Sequence, residues 1–302
     1  MALSPRRPRS ERWVRGVSDG PHPRQNTSKS PTEHATTPDR TREKPPPNTR
    51  TQPPAGHYAL GHPFIGPRPL ARTRSFTRRG GRMPRTHQAA WDRLADQVVL
   101  EVPRPMGATS TVVDPAYCLD PRDVFGRLAP LVVEVGSGSG DALVAGAAQR
   151  PGWDFIALEV WKPGIGHALA KMEAQTGAGA QPNVRIVEVD AVVALQTMFA
   201  PGSVHEVWTF FPDPWPKAKH HKRRIVTPDF VDAVVRLLAP DGVWRLATDW
   251  DHYAESMREV VGAEPRLELA STDRAPLRPV TRFERRGTEA GRQITDLAYR
   301  LR

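Results

Sequence analysis

The stretch LVVEVGSGSG, residues 131–140, decides the fold class of this 302-residue chain. A short run rich in valine leads directly into glycines at positions 136, 138 and 140. The run has the length and composition of a buried strand, and the glycines permit a tight turn that a ligand can approach closely. The stretch therefore predicts a strand, a ligand-binding turn and a following helix.

The spacing of Gly136, Gly138 and Gly140 limits the identity of that ligand. A dinucleotide-binding turn has the pattern G-x-G-x-x-G, which here would place its third glycine where Asp141 stands. Glu134, two residues before the first glycine, would repel a pyrophosphate but suits a ligand that carries positive charge. S-adenosylmethionine, with a sulfonium and an amino group, fits this turn better than a dinucleotide does.

Apolar runs alternate with helical patterns along the rest of the chain, which predicts an α/β fold with a mostly parallel sheet covered on both faces. The predicted helices lie around 140–149 and 163–175, shortly after residue 190, and at 228–238 and 251–260. Seven strands are predicted, at 131–135, 154–160, 184–190, 205–211, 241–249, 266–271 and 293–301.

Two further acids follow predicted strands. Glu159 ends the second strand, where a carboxylate can accept hydrogen bonds from ribose hydroxyls, and Asp190 ends the third, where it can accept from an adenine amino group. Each acid alone is also typical of a solvated strand end. The carboxyl ends of consecutive parallel strands meet at one edge of a sheet, so one ligand could contact Glu134, Glu159 and Asp190 together.

The segment FPDPWPKAKHHKRR, residues 211–224, follows the fourth predicted strand. Pro212, Pro214 and Pro216 are expected to hold the backbone extended and stiff, which fixes the carboxylate of Asp213 in place. Trp215 either stacks on a base or packs internally. A charge run is often only a solvated surface, but beside a cofactor site it favours contacts with RNA phosphates. The predicted phosphate contacts are Lys219, His221, Lys222, Arg223 and Arg224.

Charge is distributed unevenly over the chain. The formal net charge is +10, and residues 1–70 hold 12 Lys and Arg against 5 Asp and Glu together with 14 of the 32 prolines. Such a segment buries too little apolar surface to offset its chain entropy, so we expect 1–70 to be a disordered extension. An inert tail, an RNA-attracting tail and a transit peptide remain open. Residues 71–302 form the predicted folded domain.

Several classes of protein are disfavoured by composition. Cys118 is the only cysteine, which excludes an intrachain disulfide and a cysteine-based zinc site, and the ten histidines show no metal-binding spacing. No apolar run reaches the roughly 18 residues of a membrane span, and the N-terminus lacks the apolar core of a secretory signal. We therefore expect a cytoplasmic protein that needs no metal for its chemistry.

Long shared motifs give the chain a family resemblance. The stretches RSFTRRGGR, EVGSGSG, ALEVW, VDA, FPDPWPKAKHHKRR, ATDW and TRFERRG resemble those of the bacterial tRNA (guanine-N7-)-methyltransferase family. These class I, Rossmann-like enzymes methylate a guanosine in the tRNA variable loop, usually position 46. The resemblance covers roughly residues 72–302, and residues 1–70 lie outside it.

The resemblance implies S-adenosylmethionine as cofactor, tRNA as partner, and a monomer or homodimer that needs no other protein. It implies that Asp213 is catalytic and also lies at the cofactor, beside Glu134, Glu159 and Asp190. The implied contacts with the substrate guanosine and its surroundings are Lys217, Asp249, Thr281, Arg282, Phe283 and Glu284. The departures are small, namely serines between the glycines and Ala218 where a basic residue is frequent.

Three other functions remain open from the sequence. The first is a methyltransferase with another acceptor, which methyl transfer to a small molecule without RNA would support. The second is a non-catalytic RNA-binding relative, although RNA binding alone gives no reason to keep four carboxylates beside a polyanion. The third is a nicotinamide-dependent oxidoreductase, which the glycine spacing disfavours. Cofactor binding measured by calorimetry separates the last from the others.

Overall fold

The computed structural model describes Phe76 and residues 81–108, 111–177 and 179–302. The predicted disordered extension, residues 1–70, lies outside these residues, so its disorder stays a prediction. Within the predicted domain of residues 71–302, the structure describes Phe76 and the chain from residue 81 onward, except for two short gaps.

The described residues form one seven-stranded sheet in the order β3-β2-β1-β4-β5-β7-β6. The first five strands pair in parallel, whereas β7 pairs antiparallel with both β5 and β6. This topology confirms the predicted α/β, mostly parallel, Rossmann-like sheet. The strands are β1 (Leu131–Val135), β2 (Asp154–Glu159), β3 (Val184–Glu188), β4 (Val204–Phe210), β5 (Leu238–Thr248), β6 (Leu267–Ser271) and β7 (Thr295–Leu301).

Helices connect these strands, and polar side chains mark where several of them begin. Asp190, Thr227 and Thr281 each accept a hydrogen bond from a backbone N–H in the first turn of the helix that follows. Within the described residues the helices are α1 (Arg85–Val98), α2 (Pro121–Phe125), α3 (Asp141–Gln149), α4 (Lys162–Thr176), α5 (Ala191–Thr197), α6 (Pro228–Leu237), α7 (Asp251–Gly262) and α8 (Arg282–Glu289), with a 3₁₀ helix at Ala218–Arg223.

Strand β1 lies between β2 and β4, and all of its side chains are buried. Because successive side chains of a strand point to opposite faces, Val133 packs with Leu195 and Phe230 on one face, and Val132 packs with Leu143 on the other. Helices therefore cover both faces of the sheet, which explains why the parallel strands read as continuous apolar runs.

The structure differs from the sequence prediction in its boundaries and in two helices. Strand β5 begins at Leu238, directly after α6, because Leu238 pairs with Val204 and Asp241 then adopts a positive φ of 61° where the register shifts. Helices α2 and α8 were not predicted, since both are short and poor in apolar residues. Within the described part of the chain, no helix has the length and apolarity needed to cross a membrane.

Candidate active site

A cavity of about 530 Å³ lies at the carboxyl ends of β1, β2 and β4. Parallel α/β sheets bind ligands at this edge, and helix α8 forms another part of the wall. The predicted site residues that line the cavity are Glu134, Gly136, Gly138, Glu159, Asp190, Asp213, Thr281, Arg282 and Phe283. The predicted site residues outside this lining are Gly140, Lys217, Lys219, His221, Lys222, Arg223, Arg224, Asp249 and Glu284.

Glu134 presents an unsatisfied carboxyl group to the cavity. Its side chain is only 4% exposed, and its Oε2 has no hydrogen-bond partner among the described residues. Burial raises the pKa of Glu134 to about 8, and the nearby carboxylates of Glu159 and Asp141 contribute to the rise. A ligand ammonium group at this position would supply both the missing donor and the missing positive charge.

Glu159 holds the glycine turn against the end of β2. Its Oε2 accepts a hydrogen bond from the N–H of Gly138 at 2.6 Å, and its Oε1 accepts from Val160 and Trp161 at 2.7 and 2.8 Å. Burial raises the pKa of Glu159, although these backbone donors oppose the rise. The carboxylate therefore shapes the turn, besides facing the cavity.

Gly140 does not line the cavity and instead allows two helices to approach each other. Its φ is +71°, and a Cβ at this position would lie 2.5 Å from the Cβ of Ala168 in α4. Lys171, also in α4, donates to Asp141 at 2.5 Å and to the carbonyl of Ser139 at 3.2 Å. Helix α4 therefore fixes the shape of the glycine turn.

Asp190 and Asp213 contribute the other two predicted carboxylates. Asp190 caps α5 through a 3.0 Å hydrogen bond to the N–H of Val192 and lines the cavity from the end of β3. Asp213 is exposed and lines the cavity from the loop after β4. That loop is less extended than the prolines predicted, because Phe211 and Trp215 adopt positive φ values of 51° and 44°.

The basic segment after Asp213 contains both exposed and buried cations. Lys217, Lys219 and Lys222 are exposed, whereas the guanidinium of Arg223 lies 3.8 Å from the ring centroid of Trp215. Trp215 therefore packs under an arginine, which leaves less of its surface for a base. His221 is partly buried, with its ring 5.1 Å from that of His252.

Arg224, also predicted as a phosphate contact, is only 7% exposed and lies within the protein. Its Nε donates to the carbonyl of Pro214 at 3.0 Å, and its guanidinium lies 4.7 Å from the ring centroid of Tyr253. The side chain therefore anchors the loop that carries Asp213 to helix α7. Burial lowers the pKa of Arg224 relative to an exposed arginine.

The predicted substrate contacts separate into two groups. Arg282 and Phe283 are exposed at the cavity, and Phe283 exposes 50% of its surface, which suits an aromatic ring that meets a ligand. Thr281 lines the cavity but is 6% exposed, and its hydroxyl accepts the N–H of Glu284 at 3.2 Å. Its visible role is to begin helix α8.

Glu284 and Asp249, both predicted as substrate contacts, are engaged with arginines in this structure. Glu284 is buried and accepts hydrogen bonds from Arg274 and Arg278. Burial alone would raise the pKa of Glu284, but these two arginines lower it below its ordinary range. Asp249 accepts a 2.8 Å hydrogen bond from Arg292.

The cavity also contains residues that the sequence analysis did not single out, among them Asp141, Trp161 and Arg286. Arg286 stands four residues after Arg282 and thus on the same face of a helix, so a prediction of α8 would have found it. Among the described residues no group of three or more His, Cys, Asp or Glu side chains could hold a metal ion.

Comparisons with known proteins agree with this geometry. The profile of a family described as "Putative methyltransferase" matches residues 128–297. A "tRNA (guanine-N(7)-)-methyltransferase" of Nocardioides sp. is 48% identical over 228 residues, which span 76% of this chain and 87% of that protein. A protein of the same name from Cutibacterium acnes is 49% identical over 75% of this chain and 82% of its own length.

Among solved structures, the 16S rRNA methyltransferase KamB is similar with a TM-score of 0.46 and 18% sequence identity. The match covers 60% of this chain and 91% of that protein. A likeness of this extent carries no information about the substrate.

Proposed function

The chain belongs to the tRNA (guanine-N7-)-methyltransferase family, and from this premise we propose that it transfers a methyl group from S-adenosylmethionine to N7 of a guanosine in tRNA. We further propose guanosine 46 of the variable loop as the target, as the shared motifs imply. The observation that carries the proposal is the unpartnered, buried Oε2 of Glu134 in a cavity that also contains Asp213.

The cavity fits this cofactor in size and in chemistry. Its volume of about 530 Å³ falls within the usual range of ligand pockets, roughly 300–1,000 Å³. We assign Glu134 to the amino group of the cofactor, the turn at Gly136 and Gly138 to its amino-acid portion, and Asp190 to the adenine amino group. The carboxylate oxygens of Glu159 keep lone pairs that its backbone hydrogen bonds do not use. We assign these lone pairs to the ribose hydroxyls of the cofactor.

The reaction requires the protein mainly to align the base with the methyl group and to stabilise the charge that develops. When bound, S-adenosylmethionine would supply an electrophilic methyl group, and its sulfur would leave as a neutral thioether. Guanine N7 has a lone pair and carries no proton, so accepting the methyl group would release none. No general base is therefore needed. Orientation of the reactants can lower an activation barrier by roughly 7–11 kcal/mol. Holding the base in line with the methyl group can supply several kcal/mol of this reduction.

Asp213 is the proposed catalytic residue. Methylation places positive charge on guanine, and a carboxylate held at the cavity stabilises that charge as it develops. The fixed loop after β4 positions Asp213 before the substrate arrives, with Arg224 holding the carbonyl of Pro214. Phe283, exposed at the same cavity, offers a ring on which the target base can stack.

The exposed lysines of the 3₁₀ segment provide the proposed contacts with RNA phosphates. Lys217, Lys219 and Lys222 project from the chain within ten residues of Asp213, which brings positive charge close to the catalytic loop. His221 and Arg223 remain proposed phosphate contacts. Their side chains extend less far into solvent, because each also packs against a ring of the protein. Arg224, which is buried, is the least accessible of the predicted contacts.

The test uses the purified chain, methyl-labelled S-adenosylmethionine and unmodified tRNA transcripts, with no other protein added. Label should enter tRNA, and aniline cleavage should break the chain at one position in the variable loop. A transcript with adenosine at that position and the Asp213→Asn variant are the controls, and both should stay unlabelled. Cofactor binding without transfer to any tRNA would overturn the proposed substrate.

A further inference from the structure

Helix α8 has two chemically distinct faces. Thr281, which caps it, and Glu284 and Gly287 within it are buried against the domain. Arg282, Phe283, Arg285 and Arg286 are exposed on the opposite side. The exposed face of this short helix carries three arginines and one aromatic ring. Its positive charge favours an anionic partner.

The exposed arginines differ from the other arginines around this helix. Arg274, Arg278 and Arg292 are each paired with a carboxylate of the domain. Within the described residues, by contrast, Arg282, Arg285 and Arg286 take part in no ion pair, and the side chain of Arg285 donates a hydrogen bond to the carbonyl of Val280 at 3.0 Å. Arg285 interacts electrostatically with Asp141, and Glu289 is also exposed on this helix, but the exposed face still carries more positive than negative charge.

This positive face lies at the entrance to the cavity. Arg282, Phe283 and Arg286 line the same cavity as Asp213, while Arg285 does not contribute to its lining. One cofactor carboxylate carries a single negative charge, which is fewer than the three positive charges of these arginines. A polyanion that passes over the cavity entrance would meet all three, and arginine binds phosphate oxygens through two parallel hydrogen bonds.

We propose that the exposed face of α8 is a second contact surface for the RNA backbone. The phosphates flanking the target guanosine contact Arg285 and Arg286 on this surface, while the lysines after Asp213 contact the backbone on the side of the 3₁₀ helix. The inference rests on the proposed function, because it takes tRNA as the substrate. It assigns phosphate contacts to Arg285 and Arg286, for which neither the motif spacing nor the chemistry of the cavity had indicated a role.

The experiment measures tRNA affinity at a series of salt concentrations for the wild-type protein and for the double variant R285Q/R286Q. Each lost phosphate contact lowers the slope of log K against log salt by about 0.7–0.9. The double variant should therefore show a slope reduced by about 1.4–1.8 and weaker binding at low salt. The single variant Arg285→Gln, at a residue outside the cavity lining, should show a slope reduced by about 0.7–0.9 while its affinity for S-adenosylmethionine changes less than about 2-fold.

Arg122 provides the matched control. It is exposed on α2, which precedes the amino-terminal end of β1 and thus lies at the sheet edge opposite the cavity. Arg122→Gln should leave the salt slope and both affinities unchanged.

The outcomes separate this inference from the proposed function. An unchanged slope for R285Q/R286Q, with normal binding and methylation by the wild-type protein, would overturn the second surface alone. A loss of cofactor affinity with an unchanged slope would overturn it in favour of a cofactor contact. If the wild-type protein neither binds nor methylates tRNA, the proposed function itself fails.

Discussion

The carboxylate of Glu284 accepts a hydrogen bond from the guanidinium of Arg278, whose side chain has no solvent exposure. Arg278 also donates to both carboxylate oxygens of Asp296, at 3.1 and 2.6 Å, and lies 5.2 Å from the ring centroid of Phe211. One buried arginine thus joins helix α8, strand β7 and the start of the loop that carries Asp213. Glu284 therefore helps to position α8.

Arg278→Met should destabilise the protein strongly. It leaves Asp296 buried without its cation and Glu284 with Arg274 alone, and breaking a buried pair from one side typically lowers the free energy of unfolding by about 3–5 kcal/mol. Urea denaturation measures the change. The control is Arg302→Met, since Arg302 forms an exposed pair with Glu268 at 3.9 Å, and its loss should change stability by less than about 0.5 kcal/mol. Equal losses of stability in the two variants would contradict the role of Arg278 as a buried partner of Glu284 and Asp296.

Cofactor binding should release a proton near neutral pH. With its pKa raised to about 8 by burial, Glu134 is mostly protonated in the free protein, and a bound ammonium group favours its ionised form. Calorimetry in two buffers of different ionisation enthalpy measures the release, which should disappear at a pH well above 8. Glu134→Gln should bind more weakly and without proton release. A wild-type binding enthalpy independent of buffer would contradict this role.

The same carboxyl group should make the free protein less stable as the pH rises. Glu134 keeps its proton in the folded state up to a pKa of about 8, whereas in the unfolded chain this carboxyl group has its ordinary pKa of 4.5. The folded state therefore binds more protons between these values, so the free energy of unfolding falls as pH increases through this range. Urea denaturation of Glu134→Gln across the range should show a flatter dependence than the wild type shows. A parallel dependence would mean that other groups produce the decline.

Local sequence patterns were sufficient to predict the cofactor side of the site. Glu134, Glu159 and Asp190 each stand in or directly after an apolar run, and the parallel order of those runs brings their ends together. Such positions depend only on strand periodicity and on the edge at which parallel strands end. This is why the lining of the cavity agrees with the prediction better than its surroundings do.

The substrate side depended on partners that are distant in sequence. Nothing near Arg224 indicates that Tyr253 lies beneath it, and nothing near Asp249 or Glu284 indicates their arginine partners. These side chains look like solvated charges until the tertiary structure brings their partners to them. Helix α8 was missed for a related reason, because its buried face consists of polar residues and glycine.

Gly140→Ala should lower both stability and cofactor affinity. The new Cβ would lie 2.5 Å from that of Ala168, and overpacking of this kind destabilises by about 1–3 kcal/mol. Relief of the clash would move the glycine turn away from its contact with Glu159. The control is Gly177→Ala, which shares a positive φ but has no atoms within 4 Å of the added Cβ. It should lose stability only through backbone strain and should bind the cofactor normally; a similar loss of affinity would show that strain alone explains the effect.

Arg224→Gln and Lys222→Gln should fail in different ways although the two residues are separated by one position. Lys222 is exposed, so its loss should reduce the salt slope of tRNA binding by about 0.7–0.9 and leave thermal stability unchanged. Arg224 is buried on Tyr253 and holds the carbonyl of Pro214, so its loss should lower thermal stability and methyl transfer while the salt slope stays the same. Melting temperature, turnover and salt slope, measured for both variants, separate the two roles. A reduced salt slope with normal stability for Arg224→Gln would mean that this guanidinium leaves its buried position to contact RNA.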